Sequence, residues 1–294
     1  NLNLFLNLTI IFMEAVNEFI SKVITRFPLV LSYGILDLIY NKYTRTDSKF
    51  QNSKLLSNFS SLNPQESKRV IYEEIQKMLF FEKFDTRILG KLNQNNINDV
   101  VSIKGLEILE KLQFEKQPVI LYTGHFGRLV LPLISIGLSG IELACLSANP
   151  KDFSATEEKF LSKKLFHMQK NMKGPFFHLG KLNKTFFEYL MRKEGSFLVM
   201  LIDLPSSKNT ASVEVPFIDS KILVPSGIAR IARKCGAKVV PYFTWQIGYK
   251  VEAQIFTPID ISGLSDQQAM VKLMEPLDAQ VRKHPGLWWQ WDKF

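Results

Sequence analysis

One histidine stands where it could take part in proton transfer. His125 follows an apolar, β-prone run, Val119 to Tyr122, and the dipeptide Thr123-Gly124. After it come Phe126-Gly127 and an apolar, helix-permissive stretch, Leu129 to Leu138. A strand that ends in a Gly-His turn and then opens a helix carries an imidazole to the carboxyl end of a sheet. That rim is where open α/β sheets bind ligands. Imidazole is also the side chain best matched to taking a proton from a hydroxyl near neutral pH. The plainer alternative is a histidine that caps a helix or bonds a buried carbonyl; its place in the turn favours the base.

A base of this kind needs a carboxylate on its far ring nitrogen to fix the tautomer. Asp203 ends a second core-like run, Phe197 to Ile202, and reaches the same rim if the two strands are parallel. It could orient His125, anchor an acceptor, or simply cap a turn. Arg128 is either a grip for phosphate or carboxylate or a solvated surface residue. Ser226 and Gly227 open a helix after Pro225, where free amides could take an anion or plain capping could suffice. Gly124 and Gly127, which flank His125-Phe126, are grouped with the substrate-binding residues.

The stretch from Lys159 to Lys184 holds seven lysines and no acid. It begins just after a capping box, Ser154-Ala155-Thr156-Glu157. On a helical wheel Leu161, Leu165, Met168 and Met172 share one face, with Lys159, Lys163, Lys170 and Lys173 opposite. Such a face is either merely solvated or a rim that meets anionic partners, with Lys163 and Lys164 the substrate-side candidates. Lys159, Lys163, Lys170, Lys173, Lys181 and Lys184 are expected to form one exposed positive surface.

From Pro118 onward the pattern alternates between strand and helix. Strands are expected at 119–123, 142–146, 176–179, 196–202 and 237–242, and helices at 127–139, 156–173, 181–193 and 226–235. The alternation predicts a mixed, mostly parallel sheet flanked by helices. A hairpin from Tyr242 to Thr257 turns at Gly248, and a last helix spans 266 to 283 with Pro276 inside it. Upstream, 100–117 reads as a short strand, Gly105 and a helix. Asn63-Pro64-Gln65-Glu66 starts a helix running to about Phe81. Residues 44–62 read as loop, and 14–43 as two amphipathic helices broken near Pro28. The division is a helical N-terminal section, 1–99, able to meet a membrane, and an α/β domain, 100–294. The apolar stretch 1–13 is cut off by Glu14, lacks the basic leader of a signal peptide, and is shorter than the ~18 residues of a membrane span.

The net charge of +9 points to an anionic partner. No nucleic-acid module is present, which leaves a membrane surface or an acidic protein. Cys145 and Cys235 lie far apart in apolar surroundings, and the four histidines lack metal-ligand spacing, so neither a disulfide nor a metal is expected. No Gly-x-Ser-x-Gly elbow occurs, so no covalent acyl-enzyme is expected.

Several of these segments, in order, resemble the bacterial lipid A biosynthesis lauroyl/myristoyl acyltransferase family, within the lysophospholipid acyltransferase-like superfamily. Val101 to Leu109 is similar to the family's Val-x-x-x-Gly-x-Glu-x-Leu, and His125-Phe126-Gly127 to its His-Phe-Gly-Asn-Trp-Glu. Asp203 falls at its strand-terminal Asp, with Leu204 in place of the usual Gln. Val213 to Ile218, Val224 to Ala229, Gly236 to Pro241 and Pro285 to Trp291 match its later motifs. Two positions depart: Arg128 replaces Asn, and Val130 replaces the carboxylate. The resemblance implies a glycerol-3-phosphate acyltransferase-like fold and transfer of an acyl chain from acyl carrier protein or coenzyme A to a hydroxyl or amine of a lipid acceptor. It implies no cofactor beyond that thioester, and a peripheral or monotopic place at the cytoplasmic face of the inner membrane. The loss of the acid at 130 supports an alternative, a non-catalytic lipid- or acyl-chain-binding relative. A hydrolase is the weaker third reading. An apolar groove for the acyl chain is expected beside His125, between 127–139 and 156–173.

Overall fold

The computed structural model describes residues 26–43, 68–180, 182–206 and 210–291. The expected loop at 44–62, the helix start at 63–66, the helix before Pro28 and the apolar stretch 1–13 lie outside them.

Seven strands form one sheet in the order β1-β9-β8-β2-β5-β3-β4. Their ranges are β1 Val101–Lys104, β2 Pro118–Thr123, β3 Leu143–Ser147, β4 Lys173–His178, β5 Ser196–Leu201, β8 Lys238–Ile247 and β9 Lys250–Ile255. The run β8-β2-β5-β3-β4 is parallel throughout. Only β8 and β9 pair antiparallel, across a turn with Gly248 at φ +61°, and β1 runs parallel to β9. The sheet is thus mixed and mostly parallel, flanked by helices, as the alternating pattern predicts.

Both faces of the sheet are covered, which is why β2 and β5 read as unbroken apolar runs. Ile120, Tyr122, Leu198 and Met200 pack on one side against α8 (Gly227–Cys235) and α9 (Asp266–Lys283). Val119, Leu121, Phe197 and Val199 pack on the other against α5 (Val130–Leu138), with α1 (Leu29–Tyr43) and α2 (Lys68–Ile88) sharing the same core. The remaining helices are α3 (Gln94–Ile97), α4 (Leu106–Phe114), α6 (Ala155–Met172) and α7 (Lys184–Leu190). Ser154 and Glu157 form the expected capping box on α6.

Three local expectations are corrected. Helix α2 continues past Phe81 to Ile88, because Glu82 and Asp85 sit on its inner face, paired with the half-buried Lys164 and the buried Arg128. The helix expected from 127 begins at Val130, so residues 124–129 form a turn before it. A two-stranded hairpin, β6 (Ser212–Phe217) and β7 (Ser220–Pro225), had no counterpart in the sequence reading. Its two-residue turn puts Ile218 and Asp219 at φ +47° and +58°, a conformation usually signalled by Asn or Gly. Asp278 holds the turn by accepting from the Ile218 amide at 2.6 Å.

Candidate active site

The register of two central strands brings His125 and Asp203 together. Thr123 of β2 lies opposite Leu201 of β5, and each residue of interest is two positions further on. His125 Nδ1 lies 2.8 Å from Asp203 Oδ1. The other carboxylate oxygen accepts from the His125 amide at 2.7 Å and from the Trp288 indole Nε1 at 2.8 Å. Asp203 is wholly buried, whereas the His125 side chain keeps 18 % of its surface exposed. An ionised carboxylate only accepts, so in this geometry Nδ1 carries the ring proton and Nε2 the free lone pair. Val130, at the position where the resembling family has its acid, is packed into the core.

The turn is braced on two sides. Thr244 of β8 donates its hydroxyl to Phe126 O at 3.0 Å. From the C-terminal tail, Leu287 O accepts from Gly127 N at 2.7 Å, and Trp289 N donates to His125 O at 2.9 Å. Trp288 and Trp291 are buried in the core, in keeping with packing rather than membrane anchoring.

Several expected ligand-binding residues have other work. Gly127 adopts φ +62°, and a Cβ there would fall 2.3 Å from Thr244 Oγ1; its amide is taken by Leu287. A Cβ on Gly124 would meet Leu277 at 2.6 Å and Asp203 Oδ2 at 2.9 Å. Both glycines therefore allow close packing of the turn rather than contact with substrate. Ser226 is buried, and its amide and hydroxyl both donate to Ala211 O, so it offers nothing to an anion. Gly227 has open space where its Cβ would be.

Arg128 is neither solvated nor free. Its Nε and Nη2 donate to the two oxygens of Asp85 at 2.7 and 2.6 Å, and Nη1 donates to Tyr249 O at 2.6 Å. The guanidinium also lies 5.1 Å from the ring centroids of both Tyr33 and Phe81. Burial alone would lower its pKa, and the adjacent Asp85 more than offsets that. Tyr33 donates to Asp85 at 2.5 Å, and burial, then Asp85, holds its phenol well above the ordinary value. The cluster ties the turn that carries His125 to α1, α2 and the β8–β9 turn. Sequence reasoning missed Asp85; two acids on the apolar stripe of α2 were the signal that buried cations face it.

Lys164 turns inward to pair with Glu82, whose carboxyl burial pushes up against the pull of that lysine. Lys159, Lys163, Lys170 and Lys173 are exposed, and Lys184 is exposed beside Glu188. Lys181 lies outside the described residues. Phe160 and Phe166, 50 % and 64 % exposed, stand among these lysines on α6.

A cavity of about 490 Å³ is lined by Ile97, Val101, Leu106 and Leu138 with several polar side chains. It lies at the far end of α5 from His125, so it is not the acyl groove expected beside the base. Burial pushes the Cys145 thiol up to about 12, which leaves it a poor nucleophile. Among the described residues no cluster of His, Cys, Asp or Glu could hold a metal ion, and no helix is long and apolar enough to cross a membrane.

The covered, mostly parallel sheet thus carries a His–Asp pair beyond the carboxyl ends of two central strands. The particular family follows from the sequence as a whole: residues 12–292 match the bacterial lipid A biosynthesis acyltransferase model, and the chain belongs to that family. At that level it is an acyltransferase acting on lipids. Among solved structures it is similar to the 1-acyl-sn-glycerophosphate (LPA) acyltransferase PlsC from Thermotoga maritima. That similarity has 15 % identity and a TM-score of 0.40, over 86 % of this chain and 97 % of the other. No curated protein matches it.

Proposed function

We propose that the protein transfers a fatty acyl chain from acyl carrier protein or coenzyme A to a hydroxyl or amine of a lipid acceptor at the cytoplasmic face of the inner membrane. The observation that carries this reading is the His125–Asp203 contact at 2.8 Å in a member of this family. Asp203 Oδ1 accepts from Nδ1 and fixes the tautomer. Nε2 takes the proton of the acceptor as its oxygen or nitrogen attacks the thioester carbonyl. The tetrahedral intermediate then collapses, the C–S bond breaks, and the imidazolium returns the proton to the leaving thiolate. General-base help of this kind is worth ~10²–10⁴ in rate. No acyl-enzyme is required.

The departure at Val130 favours a binding protein only if nothing replaces the missing acid, and the 2.8 Å contact of Asp203 with His125 supports a replacement. The exposed lysines and phenylalanines of α6 fit an anionic partner, either the bilayer surface or the acidic carrier.

The test is thiol release from lauroyl-coenzyme A and from lauroyl carrier protein, with vesicles of bacterial lipid as acceptor source and mass spectrometry of the lipids. Acylated lipid that disappears with His125→Ala supports transfer. Retention of lauroyl chains without thiol release in the parent would establish the binding protein instead. Thiol release with free fatty acid as the product would establish the hydrolase.

A further inference from the structure

We infer that Trp288 is a positioning residue for the base, acting through Asp203. The inference rests on the general-base reading of His125. The two oxygens of Asp203 are divided between different partners. Oδ1 faces the imidazole, while Oδ2 is held at 2.7 Å by the His125 amide and at 2.8 Å by the Trp288 indole. The amide belongs to the same residue as the ring, so it moves with the group being positioned. Among the described residues, the indole is the side-chain donor that reaches the carboxylate from a separate segment.

That segment is rigid. The Trp288 ring lies 5.0 Å from the centroids of both Phe217 and Trp291, and is fully buried. Trp291 in turn donates to Pro285 O at 2.9 Å. The backbone is fixed as well: Phe126 and Trp288 form an antiparallel bridge, flanked by the bonds from Gly127 N to Leu287 O and from Trp289 N to His125 O. Residues 125–127 lie before helix α5 and lack its ladder, so the tail supplies their hydrogen-bonding partner. A two-torsion aromatic side chain held this way loses little entropy in fixing its donor. Without it, Oδ2 keeps the His125 amide alone, the plane of the carboxylate is less firmly set, and the ring that follows Oδ1 is held less strictly to one tautomer. The tail thus sets the plane of the acid, and the acid sets the ring.

The experiment compares Trp288→Phe, Asp203→Asn, the double variant and Trp291→Phe. Trp291 is an equally buried indole whose donor goes to Pro285, so its variant opens a similar void without touching Asp203. Two readouts are used: kcat and KM with lauroyl-coenzyme A, and the ring ¹⁵N shifts of labelled histidine, assigned with His125→Asn. Trp288→Phe is expected to lower kcat about tenfold with KM little changed, and to move His125 from the Nδ1–H tautomer toward a mixture. Added to Asp203→Asn, it should cost no more than about twofold, since both act through one group. Trp291→Phe leaves the indole donor to Asp203 in place, so it should keep the Nδ1–H tautomer and lower kcat clearly less than Trp288→Phe does.

Equal losses in the two tryptophan variants, additive losses in the double variant, or an unchanged tautomer would each reduce Trp288 to packing. If Trp288→Phe does not fold, benzothienylalanine at 288 keeps the ring shape and removes the donor. The tautomer readout needs no turnover, so a parent without acyl transfer sinks the proposed activity while this arm still gives its answer.

Discussion

His125 and Arg128 stand three residues apart in one turn, and each meets a buried aspartate, yet the two pairs are built to opposite ends. Around Asp85 both carboxylate oxygens are bound by Arg128, Tyr33 adds a third bond, and two aromatic rings close over the guanidinium. Around Asp203 the acid is equally buried, but the histidine binds it through one ring nitrogen and keeps 18 % of its side chain exposed. A saturated buried pair holds elements in place; a half-saturated one can exchange a proton. On the proposed mechanism the same turn therefore carries an anchor and a reactive group.

The sharpest break in this comparison is at His125. Replacing it with Ala should lower kcat for acyl transfer by ~10²–10⁴ while unfolding by urea shows little change. A variant that loses stability in proportion to activity would make His125 a second anchor.

Arg128 should behave the other way round. Arg128→Met leaves Asp85 buried without its cation and should cost about 3–5 kcal/mol of unfolding free energy. Activity per folded molecule should fall far less than in His125→Ala. Adding Asp85→Leu removes the stranded charge and should recover most of the loss, because apolar replacement of a whole buried pair is often neutral. A ligand-gripping arginine would instead raise KM without that stability signature.

Val130 tests whether the family's missing carboxylate matters. Val130 is packed in the core beside Leu129 and Leu133. Val130→Glu should therefore destabilise the protein by roughly 2–4 kcal/mol, as burial of an unpaired acid does, and should not raise kcat. Rescue of Asp203→Asn by Val130→Glu would show that the helix position can still serve the ring, against the present geometry.

How much of this could be read in the sequence depends on how local the cause was. The strands from Val119 and Phe197 were legible because both faces of a parallel sheet are covered and the runs are apolar throughout. The approach of Asp203 to His125 was legible for the same reason: two parallel neighbours that end in register carry their next residues to one rim. The Arg128–Asp85 pair was only half legible: Glu82 and Asp85 on the apolar stripe of α2 signal cations facing it, but no strand register carries Asp85 to Arg128 as it carries Asp203 to His125. The brace from Trp288 was equally hidden, since a tail of tryptophans reads as packing whether or not an indole reaches a carboxylate. The β6–β7 hairpin was hidden by a turn that places Ile218 at positive φ, where sequence rules look for glycine or asparagine.

The anchor-versus-reactive distinction recurs on α6 between two adjacent lysines, and gives the smallest expected effect. Lys164 is turned in to Glu82, like Arg128 to Asp85, whereas Lys163 faces out with Lys159 and Lys170. Each exposed lysine near an anionic bilayer is worth about 1 kcal/mol, and exposed charges are screened beyond ~10 Å at 0.1 M salt. Reversal of Lys159, Lys163 and Lys170 to glutamate should therefore weaken binding to vesicles of anionic phospholipid, strongly at low salt and little at high salt. Lys164→Met should leave vesicle binding near the parent's and lower stability instead. Binding that survives the triple reversal at low salt would make the outer face of α6 merely solvated. A loss on Lys164→Met as large as on the triple reversal would mean that vesicles respond to the fold of α6 rather than to its charges.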